Sequence, residues 1–269
     1  MGENHIHSTI LPSGISSRKL ATALFCTQTG IFRQKHHIIP SHFRYSCIVG
    51  YAGSKLQQGA TVVAPQFSSV GKNGKFNLQD FTGFGDNASW GIYLDLIDPH
   101  GIIINSYVWV EDGGENGDKK CWLDGSTFDM PEKSVCFEPG QAFWVEAQNS
   151  TQKIQSAGEV PVNDATVQLC KGVTLAGNFT PTKMALQDLY TEGNDASWAV
   201  YLDIVESHGI ITKSYIWVED YGAKGDQKCW IDGDTFEMPE EGVFFNPGQA
   251  FWIETQIENL SVTFPGVEL

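Results

Sequence analysis

Short runs in which hydrophobic and polar residues alternate make up most of the chain, and most runs end near glycine, proline, asparagine or aspartate. In residues 92–97 the even positions hold isoleucine or leucine, which is the period of a half-buried strand. Residues 102–110 alternate in a similar way. Between the two runs, Pro99-His100-Gly101 predicts a three-residue hairpin loop in which Gly101 has a positive φ. No amphipathic helix is indicated, so the pattern predicts an all-β fold.

A long internal repeat divides the chain into two copies. Residues 78–147 align without a gap on residues 186–255 at a constant offset of 108, and more than half of the aligned residues are identical. With the flanking matches, copy 1 spans residues 48–160 and copy 2 spans residues 163–269. Each copy is long enough to fold alone from roughly seven to nine short strands. We therefore predict two tandem β-sandwich or small β-barrel domains, joined by a linker so short that they touch.

The predicted hairpin loop also fixes a register for the two strands that it joins, in which the numbers of paired residues sum to 200. Tyr93 then lies opposite Tyr107, on the same face as Trp109. In copy 2 the same register places Asp203 opposite Lys213, which is a favourable cross-strand pair.

Aromatic rings beside a carboxylate make this face a candidate carbohydrate site. Rings stack on the apolar faces of sugars, and acids accept hydrogen bonds from sugar hydroxyls. The alternative is that a second sheet or the other copy covers the face, which is then part of the core. The candidate ligand-binding residues are Tyr93, Asp95, Tyr107, Trp109, Tyr201, Asp203, Tyr215 and Trp217.

Acidic loops in both copies are a weaker candidate, for a calcium site. Carboxylate oxygens are ligands that Ca²⁺ prefers, but no stretch fits a calcium-binding helix-loop-helix. The loop of copy 2 also replaces two of the polar residues of copy 1 with alanine and lysine. We therefore predict no cofactor, with Ca²⁺ as the alternative, bound through Asp112, Asp118, Asp220 and Asp226.

Charge is unevenly placed along the chain. Residues 1–45 hold five basic residues and one acid, whereas 12 basic and 31 acidic residues follow, so the formal net charge of −15 becomes −19 beyond residue 45. An acidic protein repels phosphate backbones, which argues against nucleic acid as a partner. Residues 1–45 are predicted to be a disordered leader, with a transit segment or a misassigned start as alternatives. The longest apolar runs are too short to span a bilayer.

Recurring aromatic residues and cysteines mark equivalent positions in the two copies. All eight tryptophans lie in the repeats, four in each copy. Cys121 and Cys229 each precede a tryptophan, and we predict that they are small buried hydrophobic residues. Phe128 and Met130 predict a further short strand.

Catalytic motifs are missing from the sequence. It contains no Gly-x-Ser-x-Gly, no phosphate-binding loop and no His-x-x-x-His of a zinc enzyme. Two near-identical small units also favour avidity or extension over two active sites. We therefore predict that the protein is not an enzyme, and a hydrolase remains the less favoured alternative.

Several strings also resemble a known type of repeat: Ile48-Val-Gly-Tyr51, Ala64-Pro-Gln-Phe67, Pro139-Gly-Gln-Ala-Phe-Trp144 and Gln155-Ser-Ala-Gly-Glu-Val160. They are similar to the tandem β-repeat domains of uncharacterised bacterial secreted and surface proteins, for which no activity is assigned. The resemblance covers both copies but not residues 1–45, and copy 2 lacks the Val-Gly-Tyr opening. It implies an extracellular or cell-surface location. We expect a structural or adhesive module whose partner is a protein or glycan surface, with a carbohydrate-binding module as the alternative.

Overall fold

In the described part of the chain, strands and two single-turn 3₁₀ helices supply the regular secondary structure, which confirms the predicted all-β fold. Residues 1–45, the predicted leader, lie outside the described part of the chain apart from two short antiparallel strands, β1 (Phe25–Thr27) and β2 (Gly30–Phe32). The computed structural model describes residues 25–27, 30–32, 49–56, 58–85, 88–114, 116–148, 152–206, 209–240 and 242–267.

Copy 1 and copy 2 contain matching elements in the same order, except that β15 of copy 2 has no counterpart strand in the described part of copy 1, where Thr82 forms only an isolated bridge with Gln155. The elements of copy 1 are β3 (Val49–Leu56), β4 (Gly59–Val63), β5 (Phe76–Asn77), a 3₁₀ helix (Leu78–Asp80), β6 (Ile92–Ile97), β7 (Ile103–Gly113), β8 (Lys119–Asp124), β9 (Cys136–Phe137), β10 (Phe143–Ala147) and β11 (Gln152–Glu159). The elements of copy 2 are β12 (Ala165–Leu169), β13 (Gly172–Gly177), β14 (Met184–Ala185), a 3₁₀ helix (Leu186–Asp188), β15 (Tyr190–Glu192), β16 (Val200–Val205), β17 (Ile211–Tyr221), β18 (Gln227–Asp232), β19 (Phe244–Phe245), β20 (Ala250–Thr255) and β21 (Leu260–Phe264).

Each copy is built on one five-stranded antiparallel sheet. Its strand order is β4-β10-β6-β7-β8 in copy 1 and β13-β20-β16-β17-β18 in copy 2, so equivalent strands occupy equivalent places. Smaller sheets form a second layer: β3 pairs with β11 and β5 with β9, while β21 pairs with both β12 and β15 and β14 pairs with β19. The arrangement is sandwich-like, and no helix in the described part of the chain is long and apolar enough to cross a bilayer.

Alternating side chains of the five-stranded sheet form the core against the smaller sheets. One core indole in each copy also satisfies its polar group: Trp122 Nε1 donates to Phe81 O at 2.7 Å, and Trp230 Nε1 donates to Leu189 O at 2.9 Å. Cys121 and Cys229 are buried, as predicted. The core of copy 1 includes Leu56, Leu78, Phe81, Ile92, Leu94, Trp109, Trp122, Phe143, Val145 and Ile154.

The hairpin loop at Gly101 is confirmed, but the register predicted from it is wrong. Asp98 N donates to Ile102 O at 2.8 Å, and Gly101 has a φ of 79°. Beyond the loop a β-bulge adds one residue to β7, and the pairing moves by one position, so that Tyr93 lies opposite Val108. Because side chains alternate between faces, one position is enough to exchange the faces of a strand relative to its partner.

A β-bulge at the equivalent place in copy 2 shifts the register in the same way, so the second predicted pair is also wrong. Asp203 lies opposite Ser214 instead of Lys213. Lys213 instead forms ion pairs with Asp232 at 2.7 Å and with Asp234 at 2.8 Å.

A glutamine side chain covers the outer edge of each five-stranded sheet. In copy 1, Gln79 Nε2 donates to Trp122 O at 2.9 Å, and Trp122 N donates to Gln79 Oε1 at 3.0 Å. In copy 2, Gln187 makes the same pair of hydrogen bonds with Trp230, at 2.7 and 3.0 Å. The glutamine amide therefore takes the place of a neighbouring strand. It satisfies the backbone N–H and C=O of an edge-strand tryptophan, which could otherwise pair with another chain.

The two copies contact each other through equivalent backbone positions. Ala64 N donates to Gly248 O at 3.1 Å, and Gly177 N donates to Gly140 O at 3.0 Å. Gly140 and Gly248 follow the equivalent prolines of the Pro-Gly-Gln-Ala-Phe-Trp strings. Ala64 directly follows β4 and Gly177 ends β13, and the two residues are equivalent. Each copy thus presents the same two segments to the other, which is the pattern of an isologous contact. Two isolated bridges repeat this exchange, Val63–Gln249 and Gln141–Ala176.

Glycine is required at both Pro-Gly positions of this contact. Gly140 and Gly248 have φ values of 83° and 72°, a region that L-residues with a side chain rarely adopt. A Cβ at Gly248 would lie 2.6 Å from Gln66 Nε2, and one at Gly140 would lie 2.8 Å from Val167 Cγ2. The close approach of the two copies therefore depends on the absence of a side chain at these turns.

Candidate functional site

Four of the predicted ligand-binding residues lie in the core. Tyr107 and Trp109 are 4% and 2% exposed in copy 1, and Tyr215 and Trp217 are 5% and 2% exposed in copy 2. They pack with the buried side chains of β6, β8, β10 and their equivalents. No ring face of these residues is open to a ligand. Their position matches the alternative stated above, in which this face is part of the core.

The other four predicted residues lie on the opposite face of each sheet. Tyr93 is half-buried against the outer cluster of Val108, Val110, Cys121 and Leu123, and Asp95 is half-buried. Because the bulge moves the register, the tyrosine and aspartate of β6 are separated from the aromatic residues of β7 by the sheet itself. The eight residues therefore do not form one platform in either copy.

In copy 2, Tyr201 is exposed and Asp203 is 5% exposed. Asp203 Oδ1 accepts a hydrogen bond of 2.6 Å from Ser214 Oγ. Burial raises the pKa of Asp203, and the negative charge of Glu254 raises it further, while the bond from Ser214 acts in the opposite direction. This carboxylate therefore faces Ser214 and is not presented to solvent.

A different pair of aromatic residues lies open at the surface of copy 1. Trp90 is 44% exposed and Phe128 is 55% exposed, and their ring centroids are 5.8 Å apart with the planes at 54°. Trp90 belongs to the turn before β6. Its backbone N–H donates to Trp109 O at 2.8 Å, which places Trp90 beside β7. Phe128 belongs to the turn after β8, where its N–H donates to Asp124 O at 2.9 Å. We call this pair the Trp–Phe surface of copy 1.

Hydrogen bonds hold the exposed indole in one orientation. Trp90 Nε1 donates to Asp112 Oδ1 at 3.1 Å, and Ser89 Oγ donates to the same oxygen at 3.3 Å. Ser89 Oγ in turn accepts from the N–H of Glu111 at 2.9 Å. The indole edge is therefore fixed by a carboxylate on β7, while the ring itself remains accessible.

Copy 2 repeats this arrangement in full. Trp198 is 47% exposed and Phe236 is 56% exposed, with ring centroids 6.3 Å apart. Trp198 Nε1 donates to Asp220 Oδ1 at 3.0 Å, and Ser197 Oγ donates to the same oxygen at 3.2 Å. We call Trp198 and Phe236 the Trp–Phe surface of copy 2.

All four residues of the two Trp–Phe surfaces have left-handed backbone conformations. The φ values are 60° for Trp90, 59° for Phe128, 64° for Trp198 and 59° for Phe236. This region costs a non-glycine L-residue about 1–2 kcal/mol, and glycine is the residue that normally occupies it. Strain of this kind persists where the surroundings impose it and is concentrated at ligand-binding positions. Both copies therefore carry an aromatic side chain where the backbone alone would favour glycine.

The aspartates proposed for calcium have other surroundings. Asp112 and Asp220 each accept the indole and serine hydrogen bonds described above, while Asp118 and Asp226 are exposed in the loops that follow β7 and β17. Among the described residues, no three or more His, Cys, Asp or Glu side chains are grouped in a way that could hold a metal ion.

Sequence reasoning did not single out the Trp–Phe surfaces. Phe128 was expected in a strand, but residues 125–135, between β8 and β9, contain no strand. The available signal was the string Asp-Gly-x-Thr-Phe, which follows a strand in both copies and puts a phenylalanine in a turn that the aspartate stabilises. The second signal was the string Ala-Ser-Trp, which precedes a strand at matching positions of the two copies. In the structure it forms a turn closed by a backbone hydrogen bond, from Gly91 N to Ala88 O in copy 1.

Comparison of the chain with protein-family models, with curated proteins and with solved structures found no match in any of the three.

Proposed function

We propose that the protein is a non-enzymatic adhesive β-repeat protein that acts outside the cell or at its surface and binds carbohydrate through its two Trp–Phe surfaces. The observation that carries this proposal is the recurrence of an exposed Trp and Phe, both with a positive φ, at equivalent positions of the two copies. An exposed hydrophobic residue alone needs no explanation, but the same strained aromatic pair formed twice does.

The chemistry beside each ring favours a sugar. Trp and Phe rings stack on the apolar face of a pyranose, and ligand sites combine such rings with a few polar groups that fix orientation. Asp112 is exposed, and its carboxylate retains acceptor capacity beyond the hydrogen bonds from Trp90 and Ser89. A sugar stacked on Trp90 would meet this carboxylate with a hydroxyl donor.

A fixed ring is suited to binding because less freedom is lost when the ligand arrives. The indole N–H of Trp90 donates to Asp112 and its backbone N–H donates to Trp109 O, so both the ring and the backbone are fixed in position. Trp198 is held by the equivalent two hydrogen bonds. Preorganisation of this kind raises affinity mainly by lowering the cost of ordering.

The test is binding to a glycan array with the intact chain and with the double variant Trp90→Ala/Trp198→Ala. We expect the intact protein to bind a set of glycans and the double variant to lose that binding. Phe244→Ala is the matched control, since Phe244 is 57% exposed but belongs to neither Trp–Phe surface. Far-ultraviolet circular dichroism checks that all three proteins are folded, and unchanged glycan binding by the folded double variant would refute the proposal.

A structural role is the second candidate. The observation that favours it is the equivalent contact between the two copies, which joins them by backbone hydrogen bonds at Ala64 and Gly177. A chain that binds no glycan on the array would support this role over carbohydrate binding.

A further inference from the structure

We infer that one molecule cross-links two separate chains of a neutral polysaccharide, one at each Trp–Phe surface. The inference rests on the proposed carbohydrate binding and adds the valency and charge of the ligand. Its geometry comes from the positions of the two surfaces relative to the contact between the copies.

The Trp–Phe surfaces lie away from the contact between the copies in each five-stranded sheet. In copy 1 the contact involves the end of β4, the segment before β10 and the hairpin loop after β6, which share one end of the sheet. In copy 2 it involves β13 and the segment before β20. Trp90 and Trp198 precede β6 and β16, at the other end of these strands. The aromatic pairs lie beside β7 and β8 and beside β17 and β18, which are the last two strands in the order of their sheets. Each surface therefore lies on a part of its sheet that does not contact the other copy.

Strand spacing gives the scale of the separation. Three strand intervals separate β4 from β7 and three separate β13 from β17, and the six residues of β6 lie between Trp90 and the hairpin loop at the contact. At about 4.8 Å for each interval and about 3.3 Å for each residue, each surface lies on the order of 20 Å from the contact. A short oligosaccharide bound at one surface cannot reach the other, so that it gains no avidity from the duplication. Two surfaces placed in this way serve two ligand chains, or distant parts of a long one.

Several interactions stabilise the contact between the copies and so keep the two Trp–Phe surfaces apart. Beside the backbone hydrogen bonds, it contains an apolar cluster formed by Val62, Ala64, Leu175 and Ala250, against which Trp144 and Trp252 pack. In addition, Val173 N donates to Pro99 O at 2.8 Å, which attaches the hairpin of copy 1 to β13 of copy 2. A rigid joint holds the surfaces apart instead of letting them converge on one ligand.

Charge selects among possible polysaccharides. The chain has a net charge of −19 beyond residue 45, and each aromatic surface has an exposed aspartate at its edge, Asp112 or Asp220. Like charges repel acidic glycans from such a surface, whereas neutral hydroxyls donate to the carboxylates. The equivalent surroundings of the two surfaces also predict that both bind the same polysaccharide.

The test uses beads coated with the neutral polysaccharides mannan, laminarin and xylan, mixed with the full-length chain. Bound protein is measured after sedimentation, and bead aggregation is measured by light scattering. We expect one of these coatings to bind the protein and its beads to aggregate, with dispersal again at high protein concentration when each surface is occupied by a different protein molecule. The single-site variants Trp90→Ala and Trp198→Ala are expected to coat these beads but to need at least about 100-fold more protein for any aggregation. Phe244→Ala serves as the control and is expected to aggregate the beads as the unchanged protein does.

The outcomes separate the two proposals. Beads that bind the protein but stay dispersed at every concentration would overturn cross-linking and leave carbohydrate binding intact. Aggregation by the single-site variants at the concentration of the unchanged protein would overturn it as well. If none of the coatings binds the protein, cross-linking of neutral polysaccharides is wrong, and the glycan array then decides whether carbohydrate binding itself fails.

Discussion

Trp144 of copy 1 and Trp252 of copy 2 meet edge to face across the contact between the copies, with ring centroids 6.0 Å apart and planes at 82°. They occupy equivalent positions, so each copy contributes the same ring to the joint. Edge-to-face aromatic pairs stabilise a contact beyond the area that they bury. Trp252 Nε1 is buried and has no hydrogen-bond partner among the described residues, which costs part of this gain.

Removal of one ring of this pair is expected to weaken the joint. Trp252→Ala should lower the free energy of unfolding by about 3 kcal/mol, since it leaves a cavity among apolar side chains. Trp252→Phe keeps a ring and removes the unsatisfied N–H, so we expect a loss of about 1 kcal/mol or less. Equilibrium urea denaturation measures both values, and equal losses for the two variants would contradict the assignment.

The glutamines at the sheet edges give a second prediction. Gln79→Ala should destabilise copy 1 by about 1–3 kcal/mol, because the peptide group of Trp122 loses both hydrogen bonds. Gln79→Glu can still accept from Trp122 N but cannot donate to Trp122 O, so an intermediate effect is expected. Hydrogen exchange at the Trp122 amide reports the change locally, and protection that is unaltered in Gln79→Ala would show that the edge is covered in another way.

Backbone strain at the aromatic turns gives a third prediction. Phe128→Ala and Phe128→Gly remove the same ring, but only glycine adopts a φ of 59° without strain. Phe128→Gly should therefore be more stable than Phe128→Ala by about 1 kcal/mol, the reverse of the usual effect of glycine. Thermal unfolding of the two variants decides, and Phe236→Ala with Phe236→Gly repeats the comparison in copy 2.

Asp203 gives a prediction about pH. Burial raises its folded-state pKa above the ordinary value of 3.8, so the folded protein binds a proton more readily than the unfolded chain. The contribution of Asp203 to stability is then greatest below the ordinary pKa and falls as the pH rises through the folded-state pKa. Asp203→Asn keeps an acceptor for Ser214 and removes the charge, so it should stabilise the protein at neutral pH.

The advantage of Asp203→Asn should disappear as the pH falls below about 3.8, where the aspartate is protonated in both states. Urea denaturation of both proteins across the pH range measures it. Asp95→Asn at the equivalent, half-buried position of copy 1 is the control and should change stability less. An advantage that is independent of pH would show that burial of the charge is not the cause.

The hairpin between β6 and β7 shows which features can be predicted from local sequence and which cannot. The positive φ of Gly101 and the three-residue loop follow from local turn chemistry, and both were predicted. The bulge beyond the loop was not, because nothing in the alternation of residues 102–110 marks the additional residue. As a result, Trp109 was placed on the face of Tyr93, whereas the two lie on opposite sides of the sheet.

By itself, the sequence determined the repeat, the all-β character, the turn positions and the burial of Cys121 and Cys229, because these depend on alternation and on residues a few positions apart. Only the tertiary structure decided which tryptophans are core, which lie in the joint and which are open to solvent. Six of the eight lie in strands and two in turns, and their exposure depends on packing between segments far apart in the chain. Phe128, in the turn after β8, contacts Trp90, in the turn before β6. No pattern within either segment predicts this contact, because it depends on how the two segments pack together.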